Sequence, residues 1–190
     1  MLFRSIRSWL KLAPLALLTG CLLVAATLVL GSTVNGASRW LVLGPIQLQP
    51  TELIKPFLVL QGAAIFSHWS RIANDQKVIW LGVFAVTLGL ILKQPNLSTA
   101  ALCGILLWLM ALASGLPLWA MLGTAGAGLT VAVGSISINE YQRIRVTSFL
   151  NPWKDSQGDG YQLVQSLLAI GSGGLWGEGY GLSTQKLQYL

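Results

Sequence analysis

Charged side chains are scarce in this sequence, and the first group able to do chemistry lies in residues 35–56, which read NGASRWLVLGPIQLQPTELIKP. Glu52 and Lys55 are three positions apart, so on a helix they share one face and can form an ion pair. Ionised groups in apolar surroundings are costly and normally face a cavity or a partner. The pair is therefore either a structural ion pair or part of a catalytic or binding site. Upstream of it, Arg39 and Trp40 combine a cation with an aromatic ring, which is typical of a membrane interface.

A second polar segment, residues 92–100, reads LKQPNLSTA and separates two apolar runs. Lys93 and Gln94 precede a proline here, and a broken, polar segment at membrane depth is expected only where it lines a cavity. A turn at the membrane surface with a snorkelling lysine fits the same residues. The sequence leaves both interpretations open.

The third group lies in the long polar segment at residues 139–190. Its carboxylates and cations are Glu140, Arg143, Arg145, Lys154, Asp155, Asp159, Glu178 and Lys186. Within it, residues 161–174 predict a short amphipathic helix that has Leu167 and Ile170 on its apolar side and Gln165 on its polar side. The glycine-rich stretch that follows lacks the preceding strand and the closing Gly-Lys-Ser/Thr of a nucleotide-binding loop. We expect a ligand-facing loop at the membrane surface.

Composition indicates that a membrane protein carries these groups. Of the 190 residues, 54% are hydrophobic and 9% are charged, against roughly 25% charged residues in soluble domains. Residues 94–139 contain no formal charge, and this run is far longer than the ~20 residues needed to cross a bilayer. A soluble globular fold is therefore disfavoured.

Breaks at charge clusters and at Gly/Pro pairs predict about five spanning helices. They lie near residues 12–30, 51–69, 78–92, 97–113 and 118–138. Thr51 is expected to cap the second helix, with Glu52 in its positive first turn. The predicted fold class is all-α, a polytopic helical bundle in the membrane. Transmembrane helices with short loops occupy residues 1–138 of a single partial domain, and an outer-face loop occupies residues 139–190.

The distribution of cations predicts the orientation. Arg4, Arg7 and Lys11 form a basic start, and five alternating spans put the loop with Arg71 and Lys77 on the same side, as the positive-inside tendency requires. The opposite side carries as many cations, namely Arg39, Arg143, Arg145, Lys154 and Lys186. Either the topology is inverted, or these cations hold something anionic. A cytoplasmic start is favoured, because early charges dominate orientation.

Cysteine and histidine usage gives no sign of a cofactor. Cys21 and Cys103 lie in apolar runs, where a free cysteine behaves as a small hydrophobe, so we expect no disulfide and no metal site. His68 is the only histidine and is expected at a membrane interface. No cofactor is evident, and the sequence leaves open whether a divalent cation assists the chemistry.

In combination, residues 35–56, residues 93–100 (KQPNLSTA) and residues 149–179 (FLNPWKDSQGDGYQLVQSLLAIGSGGLWGEG) closely resemble the SEDS family of bacterial cell-wall polymerases. Asn151 and Gln162 look more like the members that serve cell division than those that serve elongation. The resemblance implies a peptidoglycan glycosyltransferase that joins lipid II units on the outer face of the bacterial cytoplasmic membrane. It also implies partnership with a class B penicillin-binding transpeptidase and other division proteins.

Carried over by this resemblance, the functional tryptophan of the family falls on Trp40, and its intramembrane Glu and Lys fall on Glu52 and Lys55, which we expect to support catalysis. Substrate-binding residues implied by the resemblance and by the anionic substrate are Arg39, Trp40, Lys93, Gln94, Arg143, Arg145, Lys154, Gln165 and Lys186. One motif departs from the family, since the usual Gln-Pro-Asp-x-Gly reads QPNLS, with Asn96 in place of the carboxylate.

The family has ten spans, and its essential aspartate lies in a Thr-Asp-Phe-Ile-Phe motif shortly after the position that matches Leu190. That aspartate is not among these 190 residues. We therefore expect a fragment that is catalytically inactive alone, with the catalytic residue unknown in this chain. Asp155, Asp159 and Glu178 are not its equivalents.

Two other functions compete with the polymerase. Glu52, Lys55 and the break at Pro95 would suit a transporter that moves a lipid-linked anionic sugar across the bilayer. The small residues in 123–134 (GTAGAGLTVAVG) would permit the close helix contacts of a non-catalytic division scaffold.

Overall fold

The computed structural model describes residues 6–34, 37–43 and 46–182. Within these residues the helices are α1 (Ile6–Leu30), α2 (Pro50–Ser67), α3 (Asn74–Lys93), α4 (Leu97–Ala113), α5 (Leu118–Ile138), α6 (Glu140–Leu150) and α7 (Tyr161–Gly173), with a 3₁₀ helix at Pro152–Asp155. Three short strands lie between α1 and α2, namely β1 (Ser32–Val34), β2 (Ala37–Leu43) and β3 (Ile46–Leu48). The all-α prediction is confirmed for a helical membrane protein with almost no sheet.

Helices occupy all five positions where spans were predicted. Of the described helices, α1, α3 and α5 are long and apolar enough to cross a membrane. α4 has 17 residues, which correspond to about 26 Å at 1.5 Å per residue. α2 has 18 residues and carries Glu52 and Lys55 near its start. For α2 and α4, spanning stays a prediction.

The chain divides into two compact units, unit 1 (Met1–Ser135) and unit 2 (Ile136–Leu190). In unit 1, α1 packs along α2, and α4 contacts both α2 and α3. The core contains Leu17, Ile54 and Leu58, which are fully buried. Gly20 allows the close approach of α1 and α2, because a Cβ there would lie 3.0 Å from Cγ1 of Ile54.

Polar side chains also connect the helices of unit 1. Gln94 donates from Nε2 to the carbonyl oxygen of Val24 at 3.3 Å and to the hydroxyl of Thr27. Sγ of Cys21 and Oγ1 of Thr87 are 3.0 Å apart, which joins α1 to α3 a second time. Buried polar groups of a helical bundle are stable when they are hydrogen-bonded in this way.

The strands form an antiparallel meander in the order β1, β2, β3. Val34 pairs with Ala37, and Leu43 pairs with Ile46, so two residues connect each pair of strands. These strands were not predicted from the sequence. The Asn35-Gly36 pair in the sequence could have indicated the first hairpin, because Asn-Gly is the preferred two-residue connection between antiparallel strands. β2 contacts α1 and α2, so the meander lies where α1 ends and α2 begins.

The start of α2 differs from the prediction. The helix begins at Pro50 with Gln49 as the N-cap residue, so the expectation that Thr51 caps it is wrong. Proline suits the first helical position because its missing N–H has no partner there in any helix. Glu52 does lie in the first turn, as predicted.

In unit 2, α6 was not predicted, whereas the predicted helix over residues 161–174 is confirmed as α7, which ends where Gly174 takes a φ of 52°. Glycine is favoured at such a position because it has no Cβ. Val164 is the buried apolar residue of α7, while Leu167 and Ile170 are exposed.

Candidate functional site

An ion pair marks the start of α2. Nζ of Lys55 lies 2.6 Å from Oε2 of Glu52, and the two side chains are 28% and 54% exposed, respectively. Their spacing of three residues places both on one helix face, as the sequence predicted. A structural ion pair therefore exists, and its predicted role in catalysis or binding stays a prediction.

Thr51 precedes the ion pair in the sequence and lies in the first turn of α2. Its side chain is fully buried, and among the described residues its Oγ1 has no hydrogen-bond partner. A buried hydroxyl without a partner costs about 1–3 kcal/mol. Thr51 and Lys55 are four positions apart, so they follow one another on the same side of α2. In the sequence, Pro50 indicates this position, because proline favours the first position of a helix and so places Thr51 inside α2 rather than at its cap.

Trp40 and Arg39 lie on β2, the strand that contacts α2. The meander thus places Trp40 at the end of unit 1 where α2 begins with Glu52 and Lys55. The Trp40 side chain is half-buried. For Arg39 the structure describes the backbone only, so its predicted contact with substrate is not tested.

Lys93 and Gln94 lie at the same end of unit 1. α3 ends at Lys93 and α4 begins at Leu97, so residues 94–96 form a tight turn between two helices. The Lys93 side chain is exposed at the negative end of the α3 dipole, which stabilises a cation. Gln94 is fully buried and bonded to the last turns of α1. The contacts of Gln94 give it a helix-linking role, and its predicted contact with substrate stays a prediction.

Three exposed cations lie in the part of unit 2 that the structure describes. Arg143 is 3.8 Å from Glu140 across one turn of α6, with side chains 57% and 77% exposed. The Arg145 guanidinium lies 5.2 Å from the centroid of the Tyr141 ring. Lys154 is exposed in the 3₁₀ helix. Exposed ion pairs contribute roughly 0–1 kcal/mol, so Arg143 remains available to a stronger anion such as a phosphate.

Two further residues predicted to bind substrate are Gln165 and Lys186. Gln165 is half-buried on α7, and Lys186 lies outside the described residues. Within the described ranges, no group of three or more His, Cys, Asp or Glu side chains is arranged to hold a metal ion. Cys103 is buried and Cys21 is partly buried, and both are free thiols.

The sequence of this chain matches one protein family and individual proteins that carry the name of that family. The sequence model of the family described as "Cell cycle protein", FTSW_RODA_SPOVE, matches residues 1–190. A Synechocystis sp. protein named "Probable peptidoglycan glycosyltransferase FtsW" is 60% identical over 182 residues, which cover 95% of this chain and 46% of that protein. The protein of the same name from Escherichia coli O157:H7 is 38% identical over 190 residues, covering 96% of this chain and 45% of that protein.

Two solved structures also match the fold. A chain of a peptidoglycan synthase complex, studied for the coordination of polymerization and crosslinking, aligns with a TM-score of 0.67 and 34% identity, covering 91% of this chain and 52% of that chain. The rod shape determining protein RodA of Thermus thermophilus aligns with a TM-score of 0.58 and 25% identity, covering 87% of this chain and 68% of that chain. This chain spans about half the length of the curated relatives it matches.

Proposed function

Because the chain belongs to the FtsW/RodA/SpoVE family of cell cycle proteins, we propose that it forms part of a peptidoglycan glycosyltransferase that polymerises lipid II during bacterial cell division. The observation that carries this proposal is the 60% identity, over 95% of the chain, to a protein named for that activity. The placement of Trp40, Lys93 and the Glu52–Lys55 ion pair at one end of unit 1 supports it.

The reaction defines what the side chains must do. The 4-hydroxyl of an acceptor GlcNAc forms a bond to C1 of the donor MurNAc, while the bond from C1 to the pyrophosphate oxygen breaks. A base takes the hydroxyl proton, and undecaprenyl pyrophosphate leaves with its negative charges. Proton transfer and charge stabilisation in such a step require a positioned base and cations.

In unit 2, the exposed cations Arg143, Arg145 and Lys154 suit the pyrophosphate. Arginine binds phosphate oxygens with two parallel hydrogen bonds, whereas lysine acts as a point charge. In unit 1, we assign Lys55 to the stabilisation of negative charge and Glu52 to holding Lys55 in place. The resemblance assigns the base to an aspartate that is not among these 190 residues. We therefore propose substrate binding for the chain by itself and polymerisation for protein that also carries this aspartate.

Charge placement argues against the transporter alternative. No charged side chain occurs among the fully or nearly fully buried residues of the described part of the chain. Transporters that move charged substrates place binding groups near the middle of the bilayer. In unit 1 the described ionised side chains instead lie near helix ends.

We also propose a setting and a partner. The N-terminal turns of α1 and the connection between α2 and α3 would face the cytoplasm of a bacterial inner membrane, and the meander would face outward. The basic residues Arg7, Lys11, Arg71 and Lys77 at the first end support this orientation. The similarity to a chain of a peptidoglycan synthase complex supports a class B penicillin-binding transpeptidase as partner. We assign any divalent cation to the pyrophosphate of the substrate.

The test measures binding of lipid II to the chain in lipid nanodiscs. Undecaprenyl pyrophosphate is expected to compete with lipid II, and undecaprenol, which lacks the phosphates, is expected to compete at least tenfold less well, a difference of about 1.4 kcal/mol. Lys55→Met should weaken binding about tenfold, because it removes a cation and leaves Glu52 to repel the anion.

Lys77→Met is the matched control, since Lys77 lies at the other end of unit 1 and contacts Trp69, with Nζ 5.3 Å from the ring centroid. Equal losses in the two variants would contradict the assignment of Lys55 to the negative charge of the substrate, and equal competition by undecaprenol would contradict recognition of the pyrophosphate. Movement of fluorescent lipid II across proteoliposomes by the wild-type chain would favour the transporter instead.

A further inference from the structure

The carboxylate of Asp155 is bound entirely within its own loop. Its Oδ1 accepts the backbone N–H of Gly158 at 3.1 Å, and its Oδ2 accepts the backbone N–H of Asp159 at 3.1 Å. The Asp155 carbonyl oxygen also accepts the N–H of Gly160 at 3.0 Å. Hydrogen bonds to an ionised carboxylate are among the stronger ones in proteins. We call residues 152–160 the Asp155 turn.

Within this turn, other atoms of the loop approach Gly158 and Gly160 closely. A Cβ on Gly158 would lie 2.2 Å from Oδ2 of Asp155, and a Cβ on Gly160 would lie 2.2 Å from the carbonyl oxygen of Pro152. A Cβ at Gly160 would therefore clash with the backbone, and a Cβ at Gly158 would displace the Asp155 carboxylate from its hydrogen bonds. The loop sequence thus favours this closed conformation, in which Asp155 supplies both acceptors and the glycines allow the backbone to approach.

The Asp155 turn fixes what lies on either side of it. Lys154 belongs to the 3₁₀ helix that Asp155 ends, so its backbone is held by the same contacts. After the turn, the N–H of Val164 donates to the Gly160 carbonyl oxygen at 2.9 Å, which begins α7. Asp155 does not neutralise its neighbour, because the ion pairs among the described residues are Glu52–Lys55 and Glu140–Arg143. Lys154 therefore keeps its charge available on a backbone that adjoins the hydrogen bonds of the Asp155 turn.

We propose that Asp155 is a positioning residue, which holds the loop so that Lys154 presents its ammonium group to the pyrophosphate of the lipid-linked substrate. This inference rests on the proposed function, because it takes the pyrophosphate as the anion that Lys154 binds. The positioning role and the charge of Asp155 predict opposite effects of removing its carboxylate. Removal of a negative charge beside Lys154 should strengthen the binding of an anion, whereas loss of the Asp155 turn should weaken it.

The experiment measures the dissociation constant of undecaprenyl pyrophosphate for the whole chain in nanodiscs. Asp155→Ala is expected to weaken binding about fivefold to tenfold, and Asp155→Asn less, since the amide keeps one acceptor oxygen. Asp159→Ala is the matched control, because it removes the same charge from the same loop and leaves both carboxylate hydrogen bonds of Asp155 in place. It is expected to leave binding unchanged or slightly tighter.

A double-mutant cycle separates positioning from a general loss of structure. If Asp155 acts through Lys154, Asp155→Ala has no further effect once Lys154→Ala is present. Amide hydrogen exchange at residues 158 and 159 should rise in Asp155→Ala and stay unchanged in Lys154→Ala.

Equal losses from Asp155→Ala in both backgrounds would overturn the positioning role while leaving the proposed function intact. Tighter binding by Asp155→Ala would also overturn it. A wild-type chain that does not bind undecaprenyl pyrophosphate would refute the proposed function, and the positioning role with it.

Discussion

The hydrogen bond between Gln94 and α1 allows a quantitative test of whether this residue joins helices or contacts substrate. Gln94 is fully buried at the end of α3, and its Nε2 donates to the Val24 carbonyl oxygen and to the Thr27 hydroxyl. Side-chain hydrogen bonds between membrane helices contribute about 0.6 kcal/mol on average and about 1.7 kcal/mol at most. Gln94→Leu keeps a similar volume, so the loss of these bonds should dominate and lower the free energy of unfolding by about 1 kcal/mol.

A double-mutant cycle that combines Gln94→Leu with Thr27→Val gives the interaction energy between the two side chains. The free energy of unfolding is measured by reversible unfolding in mixed detergent micelles. We expect a coupling energy of about 0.6 kcal/mol between the two substitutions. Thr19→Val is the control, because the exposed Thr19 hydroxyl donates only within its own helix, to Leu15 at 3.0 Å and to Ala16 at 3.1 Å. It should change stability by less than about 0.5 kcal/mol.

A structural role also predicts that Gln94→Leu leaves the affinity for lipid II unchanged. Coupling with Thr27 below about 0.2 kcal/mol, together with a loss of lipid II affinity, would refute the helix-linking role. That result would support the substrate contact predicted from the sequence.

Three further outcomes are expected. Trp108→Phe should lower the free energy of unfolding by about 1 kcal/mol, because it removes the hydrogen bond from Nε1 of Trp108 to the Met121 carbonyl oxygen, at 3.1 Å. Trp119→Phe is the control and should change the free energy of unfolding little, because the Trp119 side chain is 78% exposed. With the two native cysteines replaced by alanine, a cysteine at Gln47 should react with an impermeant maleimide on intact cells and a cysteine at Ser70 only after permeabilisation; the reverse pattern would invert the proposed orientation. Chelation with EDTA should weaken the binding of undecaprenyl pyrophosphate and Mg²⁺ should restore it, and an unchanged dissociation constant would rule out a cation in binding.

Helix positions in unit 1 were predictable because apolar run lengths and charged breaks determine them. α4 and α5 have the predicted bounds of 97–113 and 118–138, and α1 extends six residues further towards its basic start than the predicted 12–30. The Glu52–Lys55 pair was predictable because helical spacing alone places the two side chains together.

Other features depend on contacts that a sequence pattern does not reveal. α6 was missed because its sequence is polar and lacks an apolar stripe; in the structure it carries the Glu140–Arg143 pair and the contact between Arg145 and Tyr141. The Asp155 turn was missed because it requires two absent Cβ atoms and a carboxylate that bonds its own backbone.

The polar groups in the interior of unit 1 bear on where its chemistry takes place. The thiol of Cys21 and the hydroxyl of Thr87 lie 3.0 Å apart, and the Thr87 hydroxyl donates to the Val83 carbonyl oxygen at 2.7 Å. These groups are used to satisfy one another between helices, so they are not arranged around a substrate. The ionised side chains of unit 1 that the structure describes, among them the Glu52–Lys55 pair, lie instead near helix ends. Because ionised groups are costly within the apolar interior of a membrane, this placement favours chemistry at an end of unit 1 over a path through its middle.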